Sequence, residues 1–194
     1  MSLSPAARAV VDLLGRSHDA VEPRRFPADP QMAAQPGIYG WWADRHAVIT
    51  LGEAIGAPLP PLIYVGQAGA TKWPSGTRSS ATLASRIGRQ HMRGNARSST
   101  FRLTISSLLL SELGLVVAGG GRLDRASNTR VSAWIADHLR VSIAPHDDRD
   151  TLGAVESEVV AHLDPPLNLG HCLPSAARAR LTELRRLIRS AGSS

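Results

Sequence analysis

The chain has 194 residues, 43% of them hydrophobic, and a formal net charge of +6 at pH 7. That is enough for one well-buried core or for a small domain with added helices. No stretch approaches the roughly eighteen consecutive apolar residues of a membrane-spanning helix, which excludes one. Cys172 is the only cysteine, which excludes an internal disulfide.

Ser4-Pro5 reads as an N-cap and first helical position, followed by Ala7, Val10, Val11 and Leu14 at helical spacing until Gly15. The Pro-, Asp- and Arg-rich stretch 17–36 reads as a connecting loop. Residues 37–43 and 62–66 read as strands. Between them, residues 50–61 hold two glycines and three prolines and are expected to form an irregular excursion. A polar, glycine-bearing loop follows over 67–80. Helical patterns are expected over 82–93, 101–113 and 131–139, with a break at Gly119–Gly121 and a short strand over 141–144. Residues 150–163 predict a helix with Val155, Val159, Val160 and Leu163 on one face, stopped by Pro165-Pro166. Residues 175–190 predict an amphipathic helix. Its apolar face is Leu181, Leu184, Leu187 and Ile188, with Arg178, Arg185, Arg186 and Arg189 placed elsewhere, as a solvated face or one that tracks a nucleic-acid backbone.

Nearly all the positive charge is arginine, with Lys72 the only lysine. Guanidinium forks suit phosphates, and a basic surface attracts polyanions whatever their sequence. Codon usage that favours arginine would give the same composition, so charge points only weakly to nucleic acid. No basic region precedes an apolar stretch at the N-terminus, so no secretory signal is expected. A lone cysteine suits a reducing cytoplasm, where the chain is expected to reside.

Three separated pieces carry chemistry when read together. Gly37-Ile38-Tyr39 lies on the first strand and Tyr64-Val65-Gly66 on the second, and they hold the only two tyrosines of the chain. Glu156 lies on the later helix, twelve positions before Asn168 in Pro-Pro-Leu-Asn. This ordered set resembles the GIY-YIG nuclease family over roughly residues 36–170. The resemblance implies an α/β fold: a small central antiparallel sheet flanked by helices, with the tyrosines on adjacent strands. It divides the chain into an N-terminal helix and linker (1–35), the nuclease-like domain (36–170) and a C-terminal basic amphipathic helix (171–194).

The same resemblance implies a metal-dependent endonuclease acting on DNA. Glu156 would hold one Mg²⁺ or Mn²⁺ per site, a hard cation that takes oxygen ligands and keeps several waters. Arg86 would grip the scissile phosphate through parallel hydrogen bonds. Tyr39 would act as general base and Tyr64 would orient the water or the phosphate. Asn168 would tie the metal-bearing helix to the site, and His91 would be the residue that follows the arginine by about one helical turn. Arg89 competes with Arg86, because a five-residue gap carries His91 off the Arg86 face of a regular helix unless that helix starts late or bulges. Glu158 competes with Glu156, but lies about 200° away around the helix.

The 25 positions between Tyr39 and Tyr64 exceed the short link of compact family members, as a loop insertion would. His171-Cys172 lacks partner ligands at zinc spacing. No membrane partner is expected, and a homodimer would suit the cutting of a duplex. The alternative reading is a module that keeps the fold and binds nucleic acid without cutting. A chance coincidence of tripeptides would leave Tyr39 and Tyr64 far apart.

Overall fold

Residues 2–191 are described by a computed structural model. The elements run α1 (Pro5–Leu14), α2 (Pro30–Ala33), β1 (Gly37–Ala43), α3 (Arg45–Ile55), β2 (Leu62–Ala68) and a small hairpin of β3 (Thr71–Lys72) with β4 (Thr77–Arg78). A π-helix over Ser85–Met92 leads to α4 (Thr100–Leu108) and a second small hairpin, β5 (Val117–Gly119) with β6 (Arg122–Leu123). The chain continues through α5 (Arg125–His138), β7 (Leu139–Pro145), α6 (Leu152–Leu163) and α7 (Ala176–Ser190).

β1 is the middle of a three-stranded antiparallel sheet of order β2-β1-β7. Period-two alternation sends its residues to two faces. Ile38 joins Val65 and Ala144 against the apolar stripes of α1 and α6. Tyr39 and Trp41 turn to the opposite face and the larger core, which includes Ile87, Phe101, Trp134, Leu181 and Ile188. Gly37 must be glycine, because a Cβ there would collide with the backbone of Ala144 and Pro145 on β7. The sheet is thus a central layer with helices on both faces, the α/β arrangement that the sequence suggests.

Residues 50–61 differ from the irregular excursion expected of them. Residues 50–55 complete α3, which Asp44 caps by accepting from the Ala47 N–H at 2.7 Å. Gly56 ends it at φ 76°, a left-handed position that glycine adopts without a Cβ penalty. Only the prolines beyond are irregular. Two other helices also differ from expectation: α4 stops at Leu108, and α5 begins at Arg125, where Asp124 accepts from the Ser127 N–H. Among the described residues no helix is long and apolar enough to cross a membrane.

Candidate active site

The register of β1 and β2 sets Tyr39 opposite Gly66 and Trp41 opposite Tyr64. All four therefore share one face of the sheet. A Cβ on Gly66 would lie 2.5 Å from the Tyr39 hydroxyl oxygen and 3.0 Å from Cε1 of Tyr64. The two phenols meet over a residue with no side chain, which explains the glycine of Tyr-Val-Gly. Trp41 stacks on Phe101 of α4 with ring centroids 4.7 Å apart, and Phe101 also meets Tyr64 at 5.3 Å.

His91 closes the floor. Its Nε2 lies 2.6 Å from the Tyr39 hydroxyl and its Nδ1 lies 2.8 Å from Ser99 Oγ. The five-residue gap from Arg86 to His91 does not fit an α-helix, but the segment is wound as a π-helix. Its i→i+5 hydrogen bonding brings residues four and five apart to one side. Arg86 Nη1 accordingly donates to Gln90 Oε1 at 2.7 Å, and His91 follows on that side. Arg89 is exposed.

Ser99 caps α4, accepting from the Arg102 N–H at 3.1 Å. With no other acceptor among the described residues, its hydroxyl proton is assigned to His91 Nδ1. The ring proton then sits on Nε2 and donates to the Tyr39 oxygen. Burial, with the charges of Arg86 and Arg102 behind it, lowers the His91 pKa to about 3, so the ring is neutral at ordinary pH. Arg102 is fully enclosed and fully occupied at its fork. Nη1 donates to the carbonyls of His91 and Met92 and to Ser132 Oγ, while Nη2 donates to the carbonyl and Oδ1 of Asn128. This arginine holds the C-terminal end of the π-helix, and so His91, in place.

Glu156 approaches from α6. Its neighbour Glu158 is engaged elsewhere, accepting from the Ser4 N–H at 2.7 Å. Glu156 itself has no hydrogen bond or ion pair to any described residue, and its oxygens are not among the enclosed polar atoms left without partners. Burial raises its pKa to about 7, against the opposing pull of Arg86. Its charge also acts on both phenols. Burial raises Tyr64 to about 12, with Glu156 adding to the rise and Arg185 and Arg86 opposing it. Tyr39 is held well above the ordinary phenol value by burial first and then by Tyr64, and Arg86 pulls the other way.

Asn168 lies along the free edge of β2. Its Oδ1 accepts from the Val65 N–H at 2.9 Å and its Nδ2 donates to the Val65 carbonyl at 2.8 Å. This two-bond pairing copies a strand ladder and fixes the end of the segment that follows α6. Arg178 of α7 secures the same turn, donating to the carbonyls of Asp164, Pro165, Asn168 and Leu173 and to the Asp164 carboxylate.

Tyr39, Tyr64, Arg86, His91 and Glu156 thus converge from β1, β2, the π-helix and α6, braced by Asn168. A family-level comparison matches residues 37–187 to the GIY-YIG catalytic domain, most of the chain and every one of these side chains. The chain belongs to the GIY-YIG nuclease superfamily. No match was found among curated proteins or among solved structures.

Two buried arginines packed around this GIY-YIG site lie outside the sequence reading. Arg102 is the only charged residue between Thr100 and Ser111, and a lone charge in an apolar helix was the available sign of burial. The sequence reading sets Arg185 with the arginines off the apolar face of α7, as a solvated face or one that tracks a nucleic-acid backbone, but it is 7% exposed. It follows Leu181 by four positions and precedes Ile188 by three, which is the spacing of the buried face.

Proposed function

We propose that this chain is a metal-dependent endonuclease that hydrolyses phosphodiester bonds in DNA. The observation that carries the reading is the meeting of two phenols over Gly66 with one arginine and one unpartnered carboxylate close enough to act on their charge. A structural domain gains nothing from a half-buried carboxylate with no hydrogen bond.

The donor set fits a hard divalent cation. Among the described residues no three His, Cys, Asp or Glu side chains form a metal cluster. A site with one carboxylate suits Mg²⁺ or Mn²⁺, which retain waters, and does not suit zinc. Glu156 would hold such an ion, which would supply positive charge to the non-bridging and leaving oxygens of the phosphate.

The protein's own groups account for the remaining work. Arg86 binds the scissile phosphate; Gln90 takes Nη1 and orients the guanidinium toward it. Tyr39 takes a proton from the attacking water. Burial first, then Tyr64 and Glu156, keep its own proton on while Arg86 opposes them. That proton therefore passes to solvent water before the phenolate accepts one from the attacking water, and a cation on Glu156 would offset only that carboxylate's part. Donation from His91 Nε2 then favours the phenolate. Tyr64, across Gly66, hydrogen-bonds the water or the phosphate.

The test is incubation of the protein with supercoiled, linear and single-stranded DNA in Mg²⁺, Mn²⁺ or EDTA, beside Glu156→Ala. Cleavage in either metal should fall by about 10³-fold or more in the variant, which should melt no lower than the parent. Equal cleavage by both proteins sinks the assignment. Binding without cleavage by the parent favours a non-cutting module.

A further inference from the structure

One buried cation stands beside this site without a role in the reading above. Arg185 of α7 points its Nε and Nη2 at a single neutral acceptor, Thr104 Oγ1 on α4, with the Nε contact at 2.8 Å. The Thr104 hydroxyl donates its own proton to the Thr100 carbonyl at 2.9 Å, so both lone pairs of that oxygen serve the guanidinium. No carboxylate among the described residues bonds to Arg185. Nη1 has no hydrogen-bond partner among the described residues, yet it is absent from the enclosed polar atoms that lack one, so it is not sealed from solvent.

The position is informative. Thr104 follows Phe101 by three residues, on the same side of α4, and the Phe101 ring lies 5.3 Å from that of Tyr64. The guanidinium therefore sits one helical step beyond the Tyr64 contact. In support, Arg185 and Arg86 both favour negative charge on Tyr64. A cation that is largely removed from water and has no counter-ion is costly unless an anion completes it.

We propose that Arg185 is a second phosphate-binding residue of the active site, taking a backbone phosphate next to the one gripped by Arg86. Thr104 holds the Nε–Nη2 edge and leaves the Nη1 side free for the phosphate oxygen. This inference rests on the nuclease reading, because it requires a nucleic-acid ligand in the same cleft.

The test is fluorescence anisotropy of a labelled short DNA duplex titrated with protein over a salt series, in EDTA and in Ca²⁺. Arg185→Gln should weaken binding about tenfold and lower the steepness of the log–log salt dependence by about one. Arg185→Lys should restore the steepness. Arg140→Gln, which removes an exposed arginine paired with Glu22, gives the effect of losing one surface charge. If Arg185→Gln does not fold, Thr104→Val serves instead: it keeps the charge but frees the fork, and binding should weaken several-fold.

An Arg185→Gln protein, or failing that a Thr104→Val protein, that binds no worse than Arg140→Gln overturns the proposal and leaves the nuclease reading intact. A parent protein that binds no nucleic acid under either condition overturns both.

Discussion

Arg102 and Arg185 are both buried cations on the same side of the sheet, and burial lowers the pKa of each to about 10. Their surroundings differ. The fork of Arg102 makes five hydrogen bonds to carbonyls, an amide oxygen and a hydroxyl, and braces the floor of the site under His91. Among the described residues Arg185 has one acceptor, a hydroxyl oxygen, and an unbonded Nη1. The same contrast separates Ser99 and His91, which are bonded on every side, from Glu156, which accepts nothing from the described residues. Among the described residues the floor has most of its hydrogen bonds made, Arg102 Nε and Trp41 Nε1 being the exceptions, and it holds geometry. The rim is unsaturated, which is how groups look that await a substrate phosphate or a metal.

If that division is right, the two layers should fail differently. The largest effect on folding belongs to the floor. Arg102→Met removes all five of these hydrogen bonds, those to the carbonyls of His91 and Met92 among them, and should destabilise by about 3–5 kcal/mol in urea unfolding. A variant as stable as the parent would show that Arg102 is not a brace.

A smaller effect should appear on acidification. The unfolded chain binds a proton at His91 near the ordinary histidine value of about 6.5, whereas the folded site resists until about 3. Between those values the unfolded state holds more protons, so stability is present above pH 6.5 and is lost as pH falls toward 3. The contribution is on the order of a few kcal/mol, and His91→Gln should flatten that part of a melting curve measured against pH. Parallel slopes in parent and variant would contradict the burial of a neutral ring.

Much of this was legible in the sequence because it depends on short spacing. The two tripeptides put Tyr39 and Tyr64 on adjacent strands, and the twelve positions from Glu156 to Asn168 span the last turns of α6 and its stop. What was not legible depends on three-dimensional context. Gly52 and the trailing prolines masked α3, although Asp44 and Gly56 were its caps. The π-helix has no composition of its own, and only the awkward gap from Arg86 to His91 betrayed it. Arg185 is set apart from the apolar face because a charged residue reads as polar surface until its burial is seen.

The proposed mechanism gives the proton transfer to the phenol held by His91. It is tested most directly by the single-turnover rate of DNA cleavage by Tyr39→Phe, under conditions where the variant is verified as folded. Removing one oxygen should lower the rate by about 10²–10⁴-fold. Cleavage at the parent rate would contradict the account and move the general base elsewhere.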